Sequence, residues 1–88
     1  MLDIDLSGAD IELFDRYEEL ALPLLVEHGG VVLARVRDMA ELREWHLLRV
    51  PNRAAWEAFR SDPRRVEYAW LLERANVAVQ RHEVWFVE

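Results

Sequence analysis

A chain of 88 residues with 52% hydrophobic residues can form one domain, 1–88, with a modest core that a second copy would help to stabilise. The net charge of −6 argues against nucleic acid as a partner, because phosphate contacts need a basic surface. The chain has no Cys, Lys or Thr, which excludes disulfides, thiolate nucleophiles and Schiff-base chemistry. It has no apolar run long enough to span a membrane and no signal-peptide pattern, so we expect a cytoplasmic protein without membrane contact.

The first half of the chain predicts a strand, a helix and a second strand. Residues 1–6 alternate apolar and acidic side chains, which is typical of a short strand. From Ile11, apolar residues recur at the three-and-four spacing of an amphipathic helix, with Asp10 as its N-cap and His28 at its C-terminal end. Gly29 can adopt the left-handed conformation that ends a helix, and β-branched residues then predict a strand over 31–37.

The second half predicts a strand, a broken helix and a last strand. A hairpin connection leads to a strand over 42–50, which Pro51 stops. Asn52 caps a second helical region that breaks before Pro63, restarts there and ends near Asn76. Alternating residues predict a last strand over 79–87.

This order of elements predicts an α+β, ferredoxin-like βαββαβ fold, with a four-stranded antiparallel sheet and two helical regions on one face. The opposite face would meet water unless a second copy covered it. Alternation places Leu33, Trp45 and Leu47 on that face, and an apolar patch of this kind marks an interface. We therefore expect a homodimer formed by sheet faces.

Two segments carry a family resemblance. Residues 14–35 (FDRYEELALPLLVEHGGVVLAR) contain an aromatic helix followed by paired glycines, and residues 47–64 (LLRVPNRAAWEAFRSDPR) lead from a strand through a Pro and a cap to Asp-Pro. The chain resembles small ferredoxin-like proteins of the dimeric α/β-barrel superfamily, in particular the family catalogued as domain of unknown function 1330. The resemblance implies a dimer whose two sheets face each other. It leaves the reaction open, because proteins on this fold include cofactor-independent monooxygenases, lactone isomerases, haem-linked enzymes and proteins of no known activity.

The predicted inner face of the sheet supplies the candidate site. Asp3 and Asp5 of the first strand are expected there beside Arg35, Arg37 and Arg49, with Trp45 as an aromatic wall. In one interpretation these charges pair across the dimer. In the other, an Arg binds an acidic ligand that stacks on Trp45, and His82 transfers a proton. The candidate residues are His82 for catalysis and, for substrate binding, Asp5, Arg35, Trp45 and Arg49.

The other polar and aromatic residues receive structural interpretations. His46 and His82 are expected to lie too far apart to share an ion, so no metal and no cofactor are predicted, and the single histidines are assigned to a sheet margin or a dimer contact. Trp56 and Trp70 are predicted to pack in the core, and the helix glutamates, Glu18 among them, to be solvated. Two functions stay open: a dimeric small-molecule-binding or interaction domain, and a cofactor-independent monooxygenase or isomerase that acts on a small aromatic or acidic metabolite.

Overall fold

The computed structural model describes residues 1–84. The elements in chain order are β1 (Leu2–Asp5), α1 (Ile11–Glu27), β2 (Val31–Asp38), β3 (Arg43–Arg49), α2 (Arg53–Ser61), α3 (Pro63–Ala75) and β4 (Ala78–Arg81). All neighbouring strands are antiparallel, and their order across the sheet is β2-β3-β1-β4. The predicted α+β architecture is confirmed, and its topology is consistent with the ferredoxin-like fold.

The helix ends follow local sequence signals. Asp10 accepts a hydrogen bond from the Leu13 amide at 3.2 Å, and Asn52 accepts one from the Ala55 amide at 2.8 Å, so both predicted N-caps are confirmed. Gly29 is left-handed, with φ of +86°, directly after the C-cap of α1. Asp62 has an extended ψ of 124°, because the ring of the following proline disfavours helical geometry, and this residue separates α2 from α3.

The core lies between the helices and the sheet face that carries Leu2, Ile4 and Leu48. It consists of two buried clusters, Tyr17, Ala21, Leu24, Leu25, Phe59 and Leu71 in one, and Ile4, Leu6, Phe14 and Ala75 in the other. Trp56 is half-buried against the first cluster, as predicted. Trp70 is 53% exposed, so its predicted core position is wrong. The buried stripe of α3 runs through Leu71 and Ala75, and Trp70 lies to one side of it.

A β-bulge in β2 decides which side chains of this strand face the helices. Val32 pairs with Leu48 and Ala34 pairs with Leu47, which leaves Leu33 as an extra residue. Beyond the bulge, Arg35 and Arg37 pair with His46 and Glu44 and share their helix-covered face. Strict alternation from Val31 had placed both arginines with Asp3 on the opposite face, so that prediction is wrong.

The last strand is shorter than predicted. β4 ends at Arg81, and residues 82–84 follow outside the strand, although the His82 amide still donates to the Met1 carbonyl oxygen at 2.8 Å. The part of the prediction that covers residues 85–87 lies outside the described residues. No helix within residues 1–84 is both long enough and apolar enough to cross a membrane.

The second face of the sheet carries no helix in the described part of the chain. The Cα trace is 17 Å thick in its shortest dimension, which fits one sheet and one helix layer. Val31, Leu33 and Val36 of β2 are 41%, 39% and 56% exposed. Trp45 and Leu47 of β3 lie on this face too and are half-buried among their neighbours. We call this surface the open sheet face.

Candidate functional site

A cluster of ionisable side chains is buried between α1 and the sheet. Glu44 and His46 of β3 are each 1% exposed, and Glu18 of α1 is 6% exposed. Such groups are seldom buried unless they are paired or functional, because burial costs the charged form its hydration. We define the acid–base cluster as these three buried residues together with the more exposed Asp15, Arg35 and Arg37, whose side chains are 41%, 35% and 25% exposed.

Glu44 is the centre of the cluster. Its Oε2 accepts from Arg35 Nε at 2.9 Å and from His46 Nε2 at 2.5 Å, and its Oε1 accepts from Arg37 Nε at 2.6 Å. Burial raises the pKa of Glu44, but the hydrogen bonds from His46, Arg35 and Arg37 outweigh burial and leave the pKa below its ordinary value. Glu44 is therefore a carboxylate that orients three donors.

His46 is held as a neutral imidazole. Burial, the largest cause, and the charges of Arg35 and Arg37 lower the pKa of His46 against the opposing effect of Glu44. Because an ionised carboxylate can only accept, we assign the ring hydrogen to Nε2, which leaves Nδ1 as the acceptor of the ring. The ring stacks on Phe14, with centroids 6.5 Å apart. A neutral histidine whose tautomer is set by a carboxylate has the form of a general base.

Glu18 is the member of the cluster that titrates near neutral pH. Burial raises the pKa of Glu18 to about 7, with Arg35 opposing the rise and Glu44 and Asp15 adding to it. A carboxyl group with this pKa can hold or release a proton at physiological pH, which is what acid–base chemistry requires.

The two arginines link the buried carboxylate to α1. Arg37 donates to Asp15 through Nη2 and, at 3.3 Å, through Nη1, and its guanidinium lies 5.9 Å from the centroid of the Phe14 ring. Arg35 Nη2 reaches Asp15 at 3.5 Å. Three carboxyl groups thus face two guanidinium groups, and a protonated Glu18 balances the charge. Within residues 1–84, no group of three or more His, Asp or Glu side chains is arranged to hold a metal ion.

The five candidate residues from the sequence are not brought together. Asp5, Trp45 and Arg49 lie on the open sheet face, whereas Arg35 is in the acid–base cluster on the other face. Asp5 is opposite Arg43, and six residues of strand, roughly 20 Å, separate Arg43 from Arg49. His82 is exposed beyond the end of β4. These placements leave the predicted roles as hypotheses without a shared pocket.

The ion pairs predicted for the open sheet face are also different. Asp3 accepts from Arg43 Nε at 3.2 Å and from Arg43 Nη2 at 2.8 Å, and no ion pair within residues 1–84 joins it to the three arginines expected as its partners. Asp5 accepts from the Ser7 hydroxyl at 2.6 Å and from the Ser7 amide at 2.9 Å, and these bonds lower its pKa. The expected pairing with Arg35 and Arg37 fails because the bulge turns both arginines to the helices.

Sequence reasoning missed the acid–base cluster, although one signal was present. Position 18 falls in the same helical stripe as Phe14, Tyr17 and Ala21, at a spacing of four, one and three residues. An acidic residue in an apolar stripe is an indication of a buried carboxylate, and the prediction that Glu18 is solvated is wrong. The assignment of His46 to a sheet margin or dimer contact is also wrong, since it is buried beneath α1.

A second polar cluster joins helix ends and is structural. His28 at the C-terminus of α1 is 2.9 Å from Asp62 at the N-terminus of α3, through Nε2 and Oδ2. Arg64 donates to Asp62 at 3.0 Å and pairs with Glu27 at 2.9 Å. The bonds from Arg64 and His28 hold the pKa of Asp62 well below its ordinary value. These side-chain contacts connect the C-terminal end of α1 to the N-terminal end of α3.

Comparison with family models, with curated proteins and with solved structures finds no match to this chain.

Proposed function

We propose that this chain is a homodimeric small-molecule-binding or interaction domain, in which the open sheet faces of two copies meet as a dimeric α/β barrel. The observation that carries the proposal is the open sheet face, whose apolar residues have no covering layer within residues 1–84. A group of exposed apolar residues on one face of a small domain is typical of an interface. A stable dimer would bury roughly 800 Å² on each copy.

The charges on the open sheet face suit a second copy whose strands run in the opposite direction. Asp3 and Asp5 outnumber Arg43 at one end of the face, and Arg49, opposite Val31, is exposed at the other end. A two-fold axis perpendicular to the strands places Arg49 of each copy over the acidic end of its partner. The same surface can therefore complement itself in charge.

Light scattering at micromolar concentration tests the dimer. The wild-type protein should have twice the mass of the chain, and Trp45→Asp should yield monomers because it places a charge in the centre of the apolar face. Val66→Asp is the matched control, because Val66 is 56% exposed on α3, away from the sheet. A monomeric wild-type protein, or equal masses for both variants, would refute the dimer.

The acid–base cluster favours a second candidate, a cofactor-independent monooxygenase or isomerase that acts on a small aromatic or acidic metabolite. Glu18, whose pKa is raised to about 7, and the neutral His46 beside Glu44 are groups of the kind that transfer protons. Because they are 6% and 1% exposed, a metabolite would reach them only when α1 moves away from the sheet. A proton-transfer step on a carbon acid would exchange its hydrogen with solvent.

Incubation of the protein with a panel of such metabolites in deuterium oxide separates the two candidates. Exchange of a carbon-bound hydrogen, detected by proton NMR and lost in Glu18→Gln, would support an isomerase. Binding without exchange would support the binding domain. Glu19→Gln, on the exposed side of α1, is the control for the loss of a helix carboxylate.

A further inference from the structure

An open depression of about 480 Å³ lies where α2 approaches β4. It is lined by Trp56, Glu57, Arg60, Ser61 and Arg81, none of which belongs to the acid–base cluster or to the open sheet face. The depression is thus a feature that neither the dimer nor the buried proton site explains.

Two cationic side chains dominate the lining. Within residues 1–84, no ion pair joins Arg60 or Arg81 to a carboxylate, while Arg53 nearby is paired with Glu83 at 3.1 Å. Glu57 is the one acidic residue of the lining, so the depression carries a net positive charge on a protein whose overall charge is −6. Guanidinium groups with unused donors are suited to bidentate binding of a carboxylate.

An aromatic platform lies between these charges and the core. The Arg81 guanidinium is 6.0 Å from the centroid of the Trp56 ring, and the Phe59 ring, which is buried, is 5.5 Å from Trp56 on the core side. The Trp56 ring is therefore held on its core side by packing against Phe59. The Arg81 guanidinium lies over one face of this ring, so a planar ligand would pack against the ring beside Arg81 while its carboxylate meets the guanidinium groups.

We propose that this depression binds a small aromatic carboxylate, with the carboxylate on Arg60 and Arg81 and the ring against Trp56. The inference rests on the small-molecule-binding part of the proposed function and is independent of the dimer. It specifies the ligand class by charge and planarity. Ser61 contributes no donor, because its hydroxyl already donates to the Glu57 carbonyl oxygen at 2.9 Å.

Titration with benzoate, followed by nitrogen–proton NMR, tests the site. Benzoate should shift the Trp56 indole and Arg81 side-chain resonances, and Arg81→Gln should weaken binding about tenfold, as expected for the loss of a charge-assisted contact. Arg53→Gln is the control, because Arg53 is 75% exposed and outside the depression. Benzamide, which has the same ring without the charge, should bind about tenfold more weakly.

The outcomes separate the site from the general function. Benzoate shifts confined to other residues, or unchanged affinity in Arg81→Gln, would overturn the site while leaving small-molecule binding in place. Absence of any shift with benzoate would overturn the ligand class proposed here. The mass of each variant, measured on the same samples, reports the dimer separately.

Discussion

Replacing Glu18 by Gln should stabilise the protein at pH 8 and change its stability much less at about pH 5.5. Glu18 is 6% exposed, and burial raises its pKa from 4.5 to about 7. The folded state therefore binds this proton more tightly than the unfolded state. The stability that the neutral Glu18 carboxyl contributes is fully present below its pKa in the unfolded state, 4.5. It is lost as the pH rises through its pKa in the folded state, about 7.

The size of the effect follows from the shift in pKa. Each pKa unit corresponds to about 1.4 kcal/mol, so a shift from 4.5 to about 7 makes ionised Glu18 cost roughly 3 kcal/mol in the folded protein. Most of this cost develops between about pH 5.5 and pH 8. Gln has nearly the same shape and no charge, so the gain on substitution should be larger at pH 8 by about 2 kcal/mol.

Urea unfolding at the two pH values measures this difference, with all proteins at the same concentration. Glu19→Gln is the matched control, because the neighbouring side chain is exposed and should give the same change at both pH values. The comparison cancels the titration of the other carboxylates, which both variants retain. If Glu18→Gln shifted the free energy of unfolding equally at both pH values, Glu18 would not be a neutral buried carboxyl.

Three further substitutions test the structure around the site. Glu44→Ala should lower the free energy of unfolding by roughly 3 kcal/mol in urea, because it leaves the buried His46 and the partly exposed Arg35 and Arg37 without their shared carboxylate. A loss well under about 1 kcal/mol would contradict the central role of Glu44. Gly29→Ala should lower the melting temperature more than Gly8→Ala. Both glycines have left-handed backbone conformations, but a Cβ atom on residue 29 would lie 2.9 Å from Pro51 Cγ. Equal losses in the two variants would count against this contact. Asp62→Ala should lower the melting temperature at pH 7. The difference from wild type should shrink as the pH falls below 3.8, the ordinary pKa of Asp, because a carboxylate with a lowered pKa stabilises the fold above that value. A difference that does not depend on pH would contradict the ion pair.

The helix boundaries and the α+β class could be predicted because they depend on short-range interactions. A cap such as Asp10 or Asn52 bonds an amide three residues away, and the restriction that Pro63 places on Asp62 acts between neighbours. The order of strands and helices then limits the topology. The open sheet face could be predicted in the same way, because Trp45 and Leu47 alternate along one uninterrupted strand.

The acid–base cluster required the tertiary structure. A single extra residue at Leu33 reverses the side-chain directions of the rest of β2, and whether a strand bulges depends on its register with the neighbouring strand. That reversal moves Arg35 and Arg37 to the helix side of the sheet, where they pair with Glu44 and oppose the rise in the pKa of Glu18. The sequence alone determined the caps, the turns and the elements between them. Only the packing of α1 on β2 and β3 decided that charged residues far apart in the chain share one buried site.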